Sequence, residues 1–523
     1  MVTTAMPENN FEVNLEVPEE FPEATLERHH TLSEVLHEVS QVSSHSTAPG
    51  DLDEFVTEFL DKCAELMSQM QPAHPEILRG IRASHVLHRA RGAWMRGELE
   101  PLQEFSEKTT QLDEFWSHSW QTSLWLKYVS ILYRSNGLPA FVLGTLSALL
   151  AFSLQIAGVI SWRGACTLAG TVAYYLTLLF WKPQKQVFLD VACVDQVDPA
   201  KKTQGLMSVG AFLKASKSLV VFWETSFVTR LWCVFEMAGF MHTQQRDASK
   251  HLEVCPVFVG PALIFGHAGF CAMFLIFFFT EIDIMEVQLE GGLVLGALML
   301  PCLTTLAYVV LLHCHSIEVM QQQVRCFTIE RSFSQCCVDK HLDSNGQRIL
   351  CDRDVILRCI SAWFGSPEQF EDMVRTKLLR QLVYQLANHT FSYWRILQAM
   401  SPVMWFKLDW FLPGEFMRGV VETSVYWLAL GPTMVRVSLR LTYSTRKLSD
   451  RTVGRALISM CLVANAMLMF GAFFVLEQVL PMAFGDRLAS TSVLLVVMSV
   501  VTLLLWCCLP PIHESNSREE AAA

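Results

Sequence analysis

Charged residues are scarce in this 523-residue chain, and long apolar runs take their place. Asp, Glu, Lys and Arg make up 17% of the sequence, whereas soluble domains carry about 25%. Hydrophobic residues reach 51%, and the mean hydropathy is +0.30. The net charge of −11 also gives no basic surface of the kind that binds nucleic acid. The composition therefore excludes an ordinary soluble domain, indicates a membrane protein and predicts no nucleic-acid partner.

Motifs of several enzyme classes are missing as well. The sequence has no phosphate-binding P-loop, glycine-rich dinucleotide fingerprint, kinase motif set, nucleophile elbow or His-Glu-x-x-His zinc motif. Residues 1–22 lack a basic head and an apolar segment, so we expect no signal peptide there. We expect residues 1–50 to be a disordered acidic tail and residues 51–112 to be a helical cytosolic region.

Six apolar runs dominate the rest of the chain, and each is close to the ~20 residues that cross a hydrocarbon core of ~30 Å. The runs cover residues 138–162, 164–181, 256–280, 291–313, 456–480 and 488–509. They form three hairpins, over 138–181, 256–313 and 456–509. The sequence thus predicts a polytopic α-helical membrane protein with about six spans in a lipid bilayer.

The distribution of Lys and Arg predicts which loops face the cytosol, because positive loops stay on that side. Basic residues occur before the first run, between the second and third runs, and over 314–418, whereas residues 281–290 contain none. We therefore expect 314–418, the tail 510–523 and both termini to be cytosolic. The sequence does not identify which membrane holds the protein.

A seventh, weaker apolar stretch at 419–435 contains Glu422. If this stretch spanned the membrane, the six basic residues of 436–455 would lie outside, against the charge rule. We therefore expect an interfacial or re-entrant segment over 419–455. A true seventh span is the alternative.

Short apolar runs alternate with helical patterns on both sides of the first hairpin. The strand-like runs read FWSHSW, QVFLDVA, KSLVVFW and HLEVCPVFV and are typical of buried parallel strands. The helix after the first strand is expected to end at the helix-stop pair Asn136-Gly137. Because this alternation favours a parallel sheet flanked by helices, we predict a small cytosolic α/β domain. It consists of 113–137 and 182–260, and the transmembrane hairpin 138–181 splits it.

The motifs of this domain resemble the TIR (Toll/interleukin-1 receptor) family. The similarity is carried by FWSHSW, FLDVACVDQVD, LKASKSLVVFWETSFVTRLWCVFEMAGF and EVCPVFV, over about 113–137 and 186–260. The motif residues are Ser117, His118, Trp120, Asp190, Ser216, Trp232 and Cys233. The arrangement as a whole is similar to predicted multi-pass proteins of dinoflagellate algae.

The resemblance implies signalling, with self-association or binding to other TIR-like domains. In family members that cleave NAD, the glutamate of this helix is the catalytic carboxylate; here it would be Glu236, with NAD as the substrate. A carboxylate beside the ribose stabilises oxocarbenium character as nicotinamide leaves. The alternative is that Glu236 caps the helix or pairs with Arg230, and the domain serves only assembly. His118 is interpreted either as a nucleotide contact or as an ordinary turn residue.

A cysteine-rich stretch lies in the cytosolic region 314–418. Five of the 16 cysteines and one histidine fall within 326–359, where a reducing compartment disfavours disulfides. A hairpin turning at Asn345-Gly346 would bring together Cys336, Cys337, His341 and Cys351. These residues are typical zinc ligands, so we expect either a zinc site or a small turn with buried thiols.

The sequence leaves two functional hypotheses. The first is a membrane-embedded TIR-like signalling or assembly protein, either with NAD cleavage at Glu236 or without it. The second is a channel or transporter whose α/β insert is regulatory. Transport sites show ionisable residues within spans. Inside the six expected spans only His267 and Glu477 are of this kind, and His313 stands at the end of the run 291–313. That count favours the first hypothesis.

Overall fold

A computed structural model describes residues 61–512 of the chain, with short gaps. The gaps are 62–63, 66, 73, 90, 93–99, 120–122, 196–197, 245–250, 280–287, 339, 342–350 and 412–415. The expected tail 1–50, most of the expected tail 510–523 and Trp120 therefore lie outside the described residues. About 75% of the structure is helical.

Six strands form one mixed sheet. They are β1 Arg79–Arg82, β2 Ser106–Lys108, β3 Leu112–His118, β4 Gln186–Phe188, β5 Ser216–Trp223 and β6 Leu252–Pro256. The order across the sheet is β2-β1-β4-β3-β5-β6. β3 pairs in parallel with β4 and β5, and β5 pairs in parallel with β6. The parallel strands arise from the expected apolar runs, and Leu219–Trp223 are all buried.

The helices fall into short elements and long apolar ones. They are α1 Leu124–Ile156, α2 Ala165–Phe180, α3 Asp190–Cys193, α4 Pro199–Met207, α5 Val209–Ala215, α6 Leu231–Gln244, α7 Val259–Phe279, α8 Gln288–Arg325, α9 Gln335–Val338, α10 Asp352–Phe364, α11 Pro367–Met373, α12 Leu379–Tyr384, α13 Tyr393–Ala399, α14 Ser401–Leu408, α15 Phe416–Ser424, α16 Gly431–Thr445, α17 Thr452–Phe484 and α18 Arg487–Leu503. 3₁₀ turns lie at Pro75–Ile77, Glu100–Phe105 and Phe227–Thr229, and π-helical turns at His85–Arg89, Val374–Leu378, Gln385–His389, Val425–Leu430 and Leu504–Cys508.

Two antiparallel strands on one side of the sheet correct the expectation that 51–112 is purely helical. β1 pairs with β2, which forms the edge, and with β4, and Ile81 lies opposite Val187 in the register. Both of these side chains are fully buried. The two strands are too short and too polar to show a period-2 hydrophobic pattern, so the addition of β1 to β4 is a tertiary effect.

The expected helix end at Asn136-Gly137 is wrong, because α1 continues through both residues. The side-chain amide of Asn136 donates hydrogen bonds to the carbonyl oxygens of Leu178 (2.9 Å) and Trp181 (3.1 Å) at the end of α2. Asn136 is thus a buried helix-to-helix contact and not a helix stop. The boundary expected at 137/138 consequently falls inside one continuous helix.

Five of the described helical segments are long and apolar enough to cross a membrane. They are Leu124–Ile156, Val259–Phe279, Met299–Arg325, Thr452–Phe484 and Arg487–Cys508. The apolar helix Ala165–Phe180 is shorter. Each of the six expected runs overlaps one of these six segments. The composition and lengths are those of a multi-pass integral membrane protein.

The helices α13 and α14 run along the inside of this bundle. Ser401 lies within 3.3 Å of His267 on α7. Further along, the buried ring of Trp405 packs against Gly144 and Gly170. At the end of α14, Asp409 accepts hydrogen bonds from two backbone N–H groups at the start of α2. The segment from Ser401 to Asp409 therefore runs beside α2 toward the start of that helix.

The following helical stretch, from Phe416 to Thr445, returns in the opposite direction. It includes the segment 419–435 that we expected to lie at the interface. Met400 contacts Gly431, and Thr433 Oγ1 lies 2.9 Å from Thr502 Oγ1. Arg436 donates to the carbonyl oxygen of Leu505 at 3.2 Å. The stretch thus packs lengthwise beside α18.

Candidate functional site

The carboxyl ends of the parallel strands form the candidate site. β3 is the first parallel strand in the chain; β4 lies on one side of it and β5 on the other. The chain therefore runs from β3 to β4 on one side and then crosses to β5 on the other side of β3. This reversal creates a topological switch point between β3 and β5. In open α/β sheets, ligands bind outside the carboxyl ends of the strands at such a point.

Glu236 lies at this end of the sheet. It projects from α6, and its carboxylate accepts a hydrogen bond from the hydroxyl of Ser117 on β3. Its side chain also bonds with Trp232 one turn earlier. Only 7% of Glu236 is exposed. Burial raises the pKa of Glu236 to about 8, although the hydrogen bond from Ser117 opposes the shift. Near neutral pH, both the protonated acid and the ionised carboxylate of Glu236 are therefore present.

His118, Asp190 and Cys233 surround the same strand ends. His118 Nε2 lies 3.8 Å from Asp190 Oδ1, at the start of α3. The thiol of Cys233 donates to the backbone oxygen of His118 at 3.8 Å. Burial lowers the pKa of His118, and the attraction of Asp190 only partly opposes this. His118 is consequently a neutral imidazole near pH 7.

Two cations complete the rim of the site. Lys127, at the start of α1, donates to the backbone oxygen of Ser119. Arg230 lies 3.4 Å from the hydroxyl of Ser119 and stacks over the ring of Phe333 at 5.6 Å. The hydrogen bonds of the Glu236 carboxylate come from Ser117 and Trp232 and not from Arg230, the partner that the alternative interpretation expects. Sequence reasoning does not identify Lys127 as a site residue, because its position near the strand ends has no local sequence signal.

The structure brings together most of the expected motif residues. Ser117, His118, Asp190, Trp232 and Cys233 surround Glu236. Ser216 does not belong to this group: it begins β5, opposite Leu112, at the other end of the strands. Its hydroxyl donates to the carbonyl oxygen of Phe212 at 2.7 Å. Ser216 thus lies at the junction between α5 and β5.

The expected zinc ligands also converge. The ligand atoms of Cys336, Cys337, His341 and Cys351 all lie within 4.8 Å of one another. Cys326 is exposed and Cys359 is buried, and neither belongs to the cluster. The turn expected at Asn345-Gly346 lies outside the described residues.

A separate cavity of about 420 Å³ lies between the sheet and the helices. Its wall contains an ion-pair network that the sequence did not reveal. Arg134 pairs with Glu114 (2.8 Å) and with Glu253 (2.6 Å). Lys185 pairs with Glu114 at 2.6 Å, and Arg395 pairs with Glu253 at 2.9 Å. The network ties β3 and β6 to α1 and α13.

No family model, curated protein or solved structure matches the chain.

Proposed function

We propose that this chain is a membrane-embedded signalling protein whose α/β domain is TIR-like and cleaves NAD through Glu236. The observation that carries the proposal is the position of Glu236. It is a carboxyl group with a pKa of about 8, hydrogen-bonded by Ser117 at the carboxyl end of β3, where the topological switch point lies. Strongly shifted carboxyl groups cluster at functional sites. The cations Lys127 and Arg230 lie where they can attract the pyrophosphate of a dinucleotide.

The chemistry requires the ionised form of Glu236. The bond between ribose C1′ and the nicotinamide nitrogen breaks, and its electron pair leaves with neutral nicotinamide. Water adds its hydroxyl to C1′ and gives its proton to the carboxylate, so the products are ADP-ribose, nicotinamide and a proton. The negative carboxylate also stabilises the oxocarbenium character of the ribose. Because Glu236 is buried, access requires an opening of the strand ends, which association with a second TIR-like domain would provide.

The test is nicotinamide release from NAD by the full chain in vesicles, alone and clustered. Release should rise about tenfold per pH unit below pH 8 and level off above it, because only ionised Glu236 acts. Glu236→Gln should reduce release by about 10²–10⁴-fold. The matched control is Glu107→Gln, which removes an exposed carboxylate that pairs with Arg82 at 3.8 Å, and it should retain full release.

Two results would overturn the catalytic assignment. Undiminished release by Glu236→Gln would remove Glu236 from the reaction. Absence of release from folded, clustered wild-type protein would leave assembly as the function of the domain.

The proposal includes eight membrane crossings, two more than the apolar runs suggest. The additional pair is formed by 393–411 and by the stretch that begins at Phe416. At about 1.5 Å per residue, the first stretch is roughly 28 Å long and the second, up to Thr445, roughly 45 Å. Each is therefore long enough to cross a hydrocarbon core of ~30 Å. With both crossings, the basic residues of 436–455 return to the side of the sheet. Two pairs support this placement: Arg446 lies 3.0 Å and Lys447 3.2 Å from Glu318, at the sheet end of α8.

Cysteine labelling tests this topology. In a chain without its native exposed cysteines, Ser444→Cys should react only with a reagent on the cytosolic side. Ser161→Cys, in the turn between α1 and α2, should react only from the opposite side. Labelling of both positions from the non-cytosolic side would reduce the additional pair to a single crossing. Glu415→Cys, between the two stretches, should react only from the side of Ser161→Cys, and reaction from the cytosolic side would make the pair an interfacial segment.

A transporter with a regulatory α/β insert is the second candidate, and a charged cluster between the helices favours it. Lys407 lies 3.9 Å from the ring centre of Tyr426, and the hydroxyl of Tyr426 donates to Glu477 at 2.5 Å. Arg418 and Glu422 form a 2.9 Å pair nearby. Ionisable groups within membrane helices often mark ion pathways. The nicotinamide assay discriminates the two functions, because a transporter of this kind releases none.

A further inference from the structure

We propose that Cys336, Cys337, His341 and Cys351 bind a structural zinc ion, and that this ion clamps the start of α6. The proposal concerns folding of the segment around α6 and is independent of NAD cleavage at Glu236. It rests on the ligand geometry, on the backbone that presents the ligands, and on the contacts between this segment and α6.

The ligand geometry fits tetrahedral zinc. The sulfur atoms of Cys336 and Cys337 lie 3.9 Å apart, as do those of Cys337 and Cys351. Tetrahedral coordination with Zn–S bonds of about 2.3 Å places sulfur atoms about 3.8 Å apart. A disulfide needs about 2.05 Å, so these distances do not correspond to one. Nε2 of His341 is buried and has no hydrogen-bond partner among the described residues.

The backbone folds His341 back over the two adjacent cysteines. Lys340 and His341 both have positive φ angles, 55° and 57°, a conformation that is strained for residues other than glycine. The N–H of His341 donates to the carbonyl oxygen of Cys336 at 2.8 Å. The hydroxyl of Ser334 lies 3.1 Å from the sulfur of Cys336, as second-shell groups do at metal sites. A metal–nitrogen bond would offset the strain of this turn.

Three thiolates and one imidazole select the metal. Thiolate-rich tetrahedral sites suit zinc, whereas calcium and magnesium require oxygen ligands. Four protein ligands leave no open position, which is typical of a structural site and not of a catalytic one.

The segment just before the cluster is paired with the start of α6. Leu231 N–H donates to Phe333 O at 3.1 Å, and Phe333 N–H donates to Thr229 O at 2.7 Å. On the other side of the cluster, Trp363 of α10 stacks on Phe235 of α6 at 5.0 Å. Through Cys336 and Cys351, zinc would join the loop that contains Phe333 to the beginning of α10. The loop and α10 both contact α6. Loss of the ion should therefore loosen the residues around 229–236.

Metal analysis of the purified full chain tests the site. We expect about one zinc per chain. Cobalt added after chelation should give the absorption bands of thiolate-bound Co²⁺, which requires no variant. Cys351→Ser should lower zinc affinity by more than about tenfold, since second-shell changes alone cost about 10–100-fold. The matched control, Cys326→Ser, removes an exposed thiol from the same segment and should leave zinc binding unchanged.

Hydrogen exchange tests the clamp separately. Chelation should increase amide exchange in residues 229–236, and added zinc should restore protection. Absence of thiolate-to-cobalt bands, or a disulfide between Cys337 and Cys351 in the native protein, would overturn the metal site. Bound zinc with unchanged exchange at 229–236 would overturn the clamp.

Discussion

Replacing Arg134 by methionine is expected to lower the free energy of unfolding by about 3 kcal/mol. Arg134 pairs with Glu114 and Glu253, and removing one partner of a buried ion pair costs about 3–5 kcal/mol. We expect the lower end of this range because, in the variant, Lys185 still pairs with Glu114 and Arg395 still pairs with Glu253. The matched control is Lys217→Met. It removes a 2.8 Å ion pair between Lys217 and Asp113, in which the lysine side chain is 64% exposed. Such surface pairs contribute about 0–1 kcal/mol.

The pH dependence of this effect gives an additional check. Burial alone would raise the pKa of Glu253, but the charge and hydrogen bonds of Arg134, the charge of Arg395 and the hydrogen bond from Cys255 together outweigh it and lower the pKa to about 2. A depressed carboxyl pKa contributes stability that is fully present above the unfolded value of 4.5 and is lost as pH falls toward 2. The deficit of Arg134→Met in thermal unfolding should therefore be larger at pH 7 than at pH 3. A deficit equal to that of Lys217→Met would show that the network is not stabilising.

Replacing Gly170 by leucine is expected to destabilise the helical bundle by about 3 kcal/mol, the upper part of the usual range for overpacking. A Cβ atom at Gly170 would lie 2.6 Å from Trp405 Cδ2, and one at Gly144 would lie 3.1 Å from Trp405 Cζ2. The ring cannot move away, because Trp405 is 0% exposed. Small residues allow this close approach between membrane helices.

Gly471→Leu is the control for this substitution. Gly471 also lies inside a long apolar helix, but a Cβ atom there meets nothing within 4 Å, so the leucine would extend into free space. Thermal unfolding in detergent should show a marked loss for Gly170→Leu and little change for Gly471→Leu. Equal behaviour of the two variants would mean that Trp405 is not tightly packed between α1 and α2.

The sequence predicted those elements whose signal is local. Runs of about 20 apolar residues became the long helices, and continuous apolar runs such as Leu219–Trp223 became parallel strands. The convergence of Cys336 with Cys351 was also predictable, since four ligand-type residues fall within a short stretch. Glu236 was found through its motif, although its partner Ser117 is distant in the chain.

The remaining features depend on partners far away in sequence. The segment 393–411 contains Lys407 and Asp409, so it shows no apolar run. Asp409 is accommodated because the first N–H groups of α2 donate to it, which no local pattern reveals. For the same reason, Asn136 looked like a helix stop until its contacts with α2 were known.

The interrupted sheet also constrains the order of events during synthesis. Leu112 on β3 pairs with Ser216 on β5, and the helices α1 and α2 are made between them. The central strand therefore leaves the ribosome well before any parallel neighbour exists, and the membrane must accept the helical pair first. Late, non-local pairing slows folding and exposes an apolar strand edge to aggregation. Efficient insertion of α1 and α2 is thus a precondition for forming the strand ends at which Glu236 lies.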